Sequence, residues 1–349
     1  MGMFRVALSS DFLKADGTPA FPMFDLTPLD EDPRVEWGYV PVTEGRIAAE
    51  DMVGYDAVIL LTAKFDRNSF PGDGRLSIIA RFGVGYDTVD VDACNDNDVA
   101  LVIAPSGVRR PVAVSILTFL LTLSTKMMAK DRLTRQGPDG WAQVSDHMGV
   151  GLVGRTFGAI GMGNIGAEAF RLAKPLDMRF IAHDSFVAPE LAKSLGVELV
   201  SLEEVFKESD FLSVSCPLNE ETRGLVNAER LASMKPTAYL INTARGPIVD
   251  QTALTKALQD GVIAGAALDV FEIEPSSADD PLFALDNVIT TPHSLCFTDQ
   301  CFAELGATDL RAVLAVLNGE VPEAIVNGGI VESEGWRGKL ERERLWLIF

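Results

Sequence analysis

The sequence predicts an α/β protein made of two Rossmann-like domains, each with a doubly wound parallel sheet, and a cleft between them. Three observations predict this fold. The chain has 349 residues, which exceeds the size at which a single core stops growing. Short apolar runs alternate with helical segments in two separate series, and a glycine-rich turn opens the second series.

The first series lies near the N-terminus. Its strand-like runs cover Phe4 to Leu8, Ala57 to Leu61, Ser77 to Arg81 and Ala100 to Ile103. Such runs, separated by polar stretches, are typical of parallel strands joined by helices. Residues 10–40 are rich in proline, glycine, aspartate and aromatic residues, so we expect a loop or extended insertion there rather than a helix.

The second series begins at Thr156 and contains six strand-like runs separated by helical segments. A helical run after His293 then returns to the first domain, so that domain is built from both chain ends. The predicted boundaries are residues 1–107 and 297–349 for the first domain and residues 108–296 for the second. Residues 335–349 combine charge with an apolar end and carry no motif that places them.

The second series opens with the pattern GxGxxG, directly after an apolar run and before a helical segment. Its glycines permit a tight turn, close approach of a pyrophosphate and close helix packing. Asp184 follows about 20 residues later, at the end of the next strand-like run, where a carboxylate can bind ribose hydroxyls. No Arg or Lys follows it directly to receive a 2′-phosphate. The cofactor predicted is NAD, bound by Gly161, Gly163, Asn164, Ile165, Gly166 and Asp184.

The formal net charge of −20 disfavours nucleic acid and anionic membranes as partners, because both attract positive proteins. An anionic substrate would need locally concentrated arginines. The longest apolar stretch, Val112 to Leu123, is too short to cross a bilayer and predicts a buried helix. The N-terminus lacks a signal peptide, and the four cysteines show neither metal-ligand nor disulfide spacing. We expect a cytoplasmic protein without a metal site.

Three residues could carry out hydride chemistry on an acid, and each follows a strand-like run. Arg245 could hold a carboxylate, His293 could move a proton, and Glu274 could orient the imidazole. The carboxyl ends of parallel strands meet at one edge of a sheet, so these side chains converge. Each residue also has a structural alternative. Arg245 could form a surface ion pair, Glu274 could be a turn carboxylate, and His293 could be a buried core histidine.

Ordered motifs from Arg81 to about Phe302 resemble those of the D-isomer-specific 2-hydroxyacid dehydrogenases. The motifs are RFGVGYDTVDVDA, GRTFGAIGMGNIG, CPLNEETRGLVN, LINTARGPIVD and AGAALDVFEIEP. The resemblance implies a discontinuous substrate domain, an inserted NAD-binding domain and a homodimer formed through the latter. It also implies interconversion of a small 2-hydroxy acid and its 2-oxo acid.

The resemblance further implies residue roles. Arg245 would clamp the substrate, His293 would be the acid and base, and Glu274 would hold His293. Additional contacts to the cofactor are implied for Cys216, Pro217, Thr222, Thr243 and Asp269, although structural roles are equally open for Cys216 and Asp269. The backbone of Val84 and Gly85 would bind the substrate carboxylate, with Arg81 nearby.

The chain departs from the family pattern at Val108, Val114 and residues 294–297. Arg109 and Arg110 lie at the predicted crossing between domains. One hypothesis is that one of them, with Arg109 as the candidate, binds an additional anionic or polyhydroxylated part of the substrate; the alternative is an interdomain or dimer salt bridge. The bulky residues after His293 reshape the pocket.

Three functions remain open. The first is a reductase of glyoxylate, hydroxypyruvate or a sugar-acid derivative. The second is a phosphoglycerate dehydrogenase-like enzyme, without the long C-terminal regulatory extension of some members. The third, from a different class, is an NAD(H)-responsive corepressor or scaffold.

Overall fold

The computed structural model describes residues 3–344, and the chain divides into two compact units. Unit 1 comprises Met1–Val108 and Thr298–Phe349, and unit 2 comprises Arg109–Phe297. These limits lie one residue from the predicted domain boundaries. The predicted ends at residues 1–2 and 345–349 lie outside the described residues. The cleft and the substrate role of unit 1 stay predictions.

The first stretch of unit 1 contains five strands and two helices before a long helix. In chain order these elements are β1 (Phe4–Ser9), α1 (Thr27–Asp30), β2 (Val35–Val40), β3 (Ala57–Leu60), β4 (Ile78–Arg81), α2 (Val91–Asp96), β5 (Ala100–Ile103) and α3 (Pro105–Thr125), which continues into unit 2.

Unit 2 contains seven strands. Its elements after α3 are α4 (Met127–Arg135), α5 (Pro138–Trp141), β6 (Thr156–Ile160), α6 (Asn164–Ala173), β7 (Arg179–His183), α7 (Pro189–Leu195), β8 (Val197–Leu199), α8 (Leu202–Glu208), β9 (Phe211–Val214), α9 (Ala228–Ser233), β10 (Tyr239–Asn242), α10 (Gln251–Gln259), β11 (Gly265–Leu268) and β12 (Val288–Thr290). The chain then returns to unit 1 with α11 (Asp299–Leu317) and α12 (Glu334–Arg344).

Both sheets are parallel throughout, which confirms the predicted α/β class. The strand order is β2-β1-β3-β4-β5 in unit 1 and β12-β11-β10-β9-β6-β7-β8 in unit 2. Each sheet reverses its winding direction, at β1 in unit 1 and at β6 in unit 2. Ligands of such sheets bind beyond the carboxyl ends of the strands, close to the reversal.

The sheet of unit 2 is apolar on both faces. Phe157 and Phe180 belong to one buried cluster together with Phe170 of α6. Ile160 and Ile181 belong to a second cluster with Val205 of α8. Alternating side chains of one strand point to opposite faces, so each strand supplies both clusters. This packing fixes the strand ends that carry the candidate site.

Strand β2 and the short helix α1 correct the prediction of a loop or extended insertion, rather than a helix, over residues 10–40. Strand β2 pairs in parallel with β1, from Phe4 opposite Val35 to Ser9 opposite Val40. Only its two terminal valines are buried, because β2 lies at the edge of the sheet. An edge strand needs few apolar positions, so its sequence gives a weak pattern. The short edge strand β8 was missed in the second series for the same reason.

Helix α3 covers the predicted buried helix. Within residues 3–344 it is the one helix long and apolar enough to cross a membrane, and 44% of its apolar window is buried in the protein. One face lies in the core of unit 2 through Ala113, Ile116, Phe119, Leu120 and Leu123. The opposite face leaves Val114 48% and Leu121 41% exposed. The helix is therefore only half buried, which corrects the expectation of a buried helix. Its 21 residues also exceed the predicted apolar stretch, which was expected to be too short to cross a bilayer.

The returning C-terminal chain completes unit 1. Ile325 forms an antiparallel bridge with Val102 of β5. On α12, Trp336 is fully buried and its Nε1 donates to the carbonyl oxygen of Ser77 at 2.9 Å. Lys339 Nζ donates to three backbone carbonyl oxygens, those of Leu76, Asn97 and Asp98. Helix α12, up to the limit of the described residues, is thus an integral part of this unit.

Candidate active site

The glycine turn after β6 has three glycines with three different environments. Gly161 has a φ of +91°, and a Cβ there would lie 2.7 Å from the backbone nitrogen of Cys216. A Cβ at Gly166 would lie 2.6 Å from the carbonyl oxygen of Gly161. A Cβ at Gly163 would meet no atom within 4 Å. Two glycines therefore permit close packing of the turn, and the third leaves open space at the start of α6.

Asp184 lies directly after β7 and is hydrogen-bonded to the glycine turn. Its Oδ2 accepts from the backbone N–H of Met162 at 2.6 Å. Its Oδ1 accepts from the backbone N–H groups of Phe186 and Val187 at 2.8 and 2.9 Å. The carboxylate therefore sits at the mouth of the turn, where the ribose of a dinucleotide is expected.

A cavity of about 430 Å³ joins these features within unit 2. Met162, Gly163, Asn164 and Asp184 form its polar wall. The remaining lining residues are Arg109, Ala167, Arg171, Phe186, Val187, Ala188 and Leu191. An open glycine, a helix N-terminus and a carboxylate at its entrance fit the diphosphate and ribose of NAD.

The other predicted cofactor residues lie after β9 and β10. Cys216 is largely buried, which raises the pKa of its thiol to about 11. Its backbone closes against Gly161 as described above. Thr222 Oγ1 donates to the carbonyl oxygen of Pro217 at 2.7 Å and so closes a turn. Thr243 follows β10 directly and is half-buried. Ile165 is the second residue of α6 and is half-buried.

Arg245 stands in a tight turn after β10. The side chain of Asn242 supports the turn, since its Nδ2 donates to the carbonyl oxygen of Arg245 at 3.0 Å. Gly246 follows, and a Cβ there would lie 1.8 Å from the carbonyl oxygen of Phe271. Glycine is therefore required for the turn to lie against the loop after β11, which carries Glu274.

Glu274 and His293 form a hydrogen-bonded pair. His293 Nδ1 lies 2.7 Å from Glu274 Oε2. The backbone N–H of Phe271 donates to Glu274 Oε1 at 2.9 Å. Burial raises the pKa of Glu274, but the hydrogen bond and charge of His293, the Phe271 N–H and the charge of Arg245 outweigh it and leave that pKa below its ordinary value. The other two predicted catalytic residues, His293 and Arg245, therefore both stabilise the charged form of Glu274.

The carboxylate of Asp269 holds the loop of His293. Its Oδ1 accepts from the Thr291 hydroxyl at 2.5 Å and from the backbone N–H groups of Ser294 and Leu295 at 3.0 and 3.2 Å. The backbone N–H of His293 also donates to the carbonyl oxygen of Asp269 at 2.8 Å. His293 itself has a φ of +51°, a conformation that non-glycine residues rarely adopt. Asp269 thus stabilises an uncommon backbone conformation at the histidine.

The register of the sheet explains why these loops converge. Asn242 of β10 pairs with Leu268 of β11, and Leu268 pairs with Thr290 of β12. The three strands therefore end at one level, and the loops that follow them start side by side. This alignment brings together the residues that the sequence motifs placed far apart.

In unit 1, the predicted carboxylate loop follows β4. Arg81 Nη1 donates to the carbonyl oxygen of Phe82. Gly83 has a φ of +140°, and a Cβ there would lie 1.8 Å from Arg81 Nη1. The side chain of Arg81 is therefore folded over the loop that carries Val84 and Gly85. Their binding of a substrate carboxylate stays a prediction.

The two adjacent arginines on α3 differ in their contacts. Arg110 Nη1 lies 2.6 Å from Glu168 Oε1 within unit 2, so neither a substrate contact nor an interdomain pair is needed to explain Arg110. Arg109 lines the cavity next to the glycine turn. Its predicted role toward the substrate is untested by these contacts.

Sequence reasoning missed several residues in these networks, among them Thr291 and Glu168. Thr291 binds Asp269, and Glu168 binds both Arg110 and Arg171. A charged residue one turn into the helix that follows the glycine motif was the available signal for Glu168. Thr291, two residues before the histidine, carried no comparable signal.

The chain is similar to proteins of the family that its motifs indicated. The model of the D-isomer specific 2-hydroxyacid dehydrogenase NAD binding domain matches residues 117–294. A glyoxylate reductase of Korarchaeum cryptofilum is 38% identical over 82% of this chain and 87% of its own. The chain therefore belongs to the D-isomer specific 2-hydroxyacid dehydrogenase family. This dehydrogenase is an NAD-dependent enzyme, which confirms the predicted class and cofactor.

Two further relatives have names that refer to different substrates. A D-3-phosphoglycerate dehydrogenase of Archaeoglobus fulgidus is 37% identical over 72% of the dehydrogenase and 47% of its own length. The crystal structure of a glyoxylate reductase from Paecilomyes thermophila matches with a TM-score of 0.78 and 26% identity, over 93% of the dehydrogenase and 99% of that structure. Both proteins are similar to this chain, and their names refer to different acids.

Proposed function

We propose that this dehydrogenase reduces a small 2-oxo acid of the glyoxylate or hydroxypyruvate type to the 2-hydroxy acid, with NADH as reductant. The observation that supports this is the Glu274–His293 pair, 2.7 Å apart, beside the turn of Arg245. The similarity to glyoxylate reductases supports the substrate class. Sugar-acid derivatives are the larger alternative within the same reaction.

Each residue has one role in the proposed mechanism. NADH, when bound, supplies the hydride that reduces the carbonyl carbon. Protonated His293 donates its proton to the carbonyl oxygen, so that the 2-oxo group becomes a hydroxyl. Glu274 holds the imidazole through Nδ1 and stabilises its positive charge, which leaves Nε2 for the substrate. In the reverse direction, neutral His293 accepts the hydroxyl proton.

Arg245 orients the substrate. Its guanidinium offers parallel N–H donors, which match a carboxylate and the adjacent carbonyl oxygen. We assign the other end of the carboxylate to the backbone N–H groups of Val84 and Gly85, with Arg81 alongside. The assignment follows from the motif around these residues, and the fold of Arg81 over the loop is compatible with it.

The test compares two variants of the pair. His293→Ala is expected to lower kcat by about 100-fold to 10,000-fold, because a positioned general acid contributes that much. Glu274→Gln keeps a hydrogen-bond acceptor but loses the charge, so its loss of kcat should be smaller. NADH affinity, measured by fluorescence titration, should stay unchanged in both. Full turnover by His293→Ala would contradict the mechanism.

A phosphoglycerate dehydrogenase-like activity is the second candidate, because the Archaeoglobus fulgidus relative carries that name. NADH oxidation measured with glyoxylate, hydroxypyruvate, pyruvate, phosphohydroxypyruvate and 2-oxo sugar acids separates the two candidates. Highest kcat/KM on phosphohydroxypyruvate would favour the second. NADH binding without turnover on any of these acids would favour the corepressor or scaffold alternative.

We also propose a homodimer formed through unit 2. Several apolar side chains are exposed in the segment from α3 to the start of β6, including Leu121 (41% exposed), Met127 (60%), Trp141 (68%) and Met148 (73%). Exposed apolar surface of this kind is typical of protein interfaces. Leu121→Glu should then convert a dimer to a monomer in light scattering coupled to size exclusion. A cytoplasmic location without nucleic-acid, membrane or metal partners completes the proposal.

A further inference from the structure

The cavity beside the glycine turn contains more positive charge than a ribose and an adenine require. Two guanidinium groups, those of Arg109 on α3 and Arg171 on α6, line it together with Gly163 and Asp184. The chain as a whole has 50 acidic and 30 basic residues, so nearby acidic partners are abundant. The contacts of each arginine therefore show which one has charge available for a ligand.

Arg171 is already paired within the protein. Its Nη1 is paired with Glu168 Oε2, and the same carboxylate binds Arg110 through Oε1 at 2.6 Å. The side chain of Glu168 is only 7% exposed. The three side chains form a structural cluster with one positive charge in excess, and Glu168 fixes the position of both guanidinium groups.

Arg109 has no such partner. Its guanidinium forms no hydrogen bond or ion pair with any other residue in the described range 3–344. It is exposed at the cavity that Gly163 leaves open. The N-terminus of α6, which has no side-chain cap, faces the same space with its first backbone N–H groups.

We propose that Arg109 binds the diphosphate of NAD(H) rather than the organic acid. A diphosphate carries charge that a helix N-terminus alone only partly compensates, and a forked guanidinium pairs well with phosphate oxygens. In a chain with a net charge of −20, a local cation also offsets the repulsion of an anionic cofactor. The assignment uses the NAD-binding domain and does not depend on which acid is reduced.

The experiment measures binding of cofactor fragments by isothermal titration calorimetry. Arg109→Ala is expected to weaken NADH and ADP-ribose by about tenfold or more, because hydrogen bonds to charged groups contribute that much. Binding of adenosine, which lacks the diphosphate, should stay unchanged. Raising the ionic strength should weaken ADP-ribose binding less in this variant than in the wild type. Arg109→Lys, which keeps the charge without the fork, should lie between the two.

Arg110→Ala is the matched control, since it removes the same charge from the adjacent residue of the same helix. It should retain ADP-ribose affinity within about twofold, because Arg110 is directed at Glu168. Thermal unfolding of each variant checks that the fold is kept.

Several results would overturn the proposal. Wild-type affinity of Arg109→Ala for both NADH and ADP-ribose would do so directly. An increased KM of Arg109→Ala for the 2-oxo acid, with unchanged ADP-ribose affinity, would show that Arg109 binds the organic acid instead. A loss confined to NADPH would assign it to a 2′-phosphate, and an equal loss in Arg110→Ala would indicate a general charge effect. Failure of every 2-oxo acid to turn over would contradict the proposed function but leave the ADP-ribose result intact.

Discussion

Two buried aspartates, one in each unit, have opposite surroundings. Asp269 in unit 2 is 4% exposed, and its Oδ1 accepts hydrogen bonds from Thr291, Ser294 and Leu295. Asp309 on α11 in unit 1 is fully buried, and neither of its carboxyl oxygens accepts a hydrogen bond from residues 3–344. Both carboxyls lose hydration on burial, Asp309 more completely than Asp269, and of the two only Asp269 is compensated by hydrogen-bond donors among residues 3–344.

The pKa values reflect this difference in donors. Burial raises the pKa of Asp269, and the hydrogen bonds of Thr291, Leu295 and Ser294 oppose that rise. Burial raises the pKa of Asp309 well above its ordinary value, opposed only by the charge of Arg81. Helix α11 packs on β4, at whose end Arg81 lies. A buried carboxyl thus organises a loop where donors converge on it and limit the rise of its pKa, whereas without donors the pKa rises well above its ordinary value.

The largest effect is expected at Asp269. Asp269→Ala removes the acceptor of three donors and should lower the free energy of unfolding by about 2 kcal/mol. It should also lower kcat by about 100-fold, since His293 loses its supported backbone position. Asp269→Asn is the control, because its Oδ1 can still accept at the same place and should preserve more activity. Equal kinetics of Asp269→Ala and wild type would show that the loop needs no carboxylate.

An effect of intermediate size is expected at Asp309. A raised folded-state pKa means that wild-type stability falls as the pH rises above the ordinary value of 3.8. Asp309→Asn cannot ionise, so it should gain about 1 kcal/mol or more on wild type at neutral pH and nothing below pH ~3. Urea unfolding at several pH values measures this. Lower stability of Asp309→Asn at neutral pH would mean that Asp309 is ionised and stabilised by Arg81.

The smallest effect is expected at Thr291. Thr291→Val removes one of the three donors to Asp269 without changing the shape of the side chain, and should cost about 0.5–1 kcal/mol. Thr255→Val is a matched control, because that buried hydroxyl donates to the carbonyl oxygen of Gln251 within α10, away from the site. A loss of kcat in Thr291→Val alone would tie the hydroxyl to the position of His293. Equal kinetics in both variants would show that the backbone N–H donors of Ser294 and Leu295 are sufficient for Asp269 to hold the loop, without the Thr291 hydroxyl.

Local motifs were sufficient to predict the glycine turn. Its three glycines, the following helix and Asp184 lie within one strand-helix-strand segment, so their positions follow from short-range spacing. The strands of the sheet centre were also predicted, since central parallel strands are apolar on both faces. The edge strands β2 and β8 were not, because only two of six residues in β2 and one of three in β8 are buried, so their patterns resemble loops.

Long-range contacts escaped prediction for a different reason. Nothing near Arg110 indicates that it binds Glu168, 58 residues away, and the cavity position of Arg109 depends on how α3 packs beside α6. Helix α12 carried no motif, yet Trp336 is buried against unit 1. Contacts between distant segments depend on packing, which local patterns do not encode.

By itself, the sequence determined the parallel α/β class, the NAD motif and the family, because these reside in periodicity and short ordered motifs. Only the tertiary structure decided that Asp269 supports the loop of His293, that Asp309 lies without donors, and that Arg109 rather than Arg110 faces the cofactor cavity. Burial and hydrogen-bond partners depend on which distant segments meet, and they set whether a given side chain is structural, titratable or available to a ligand.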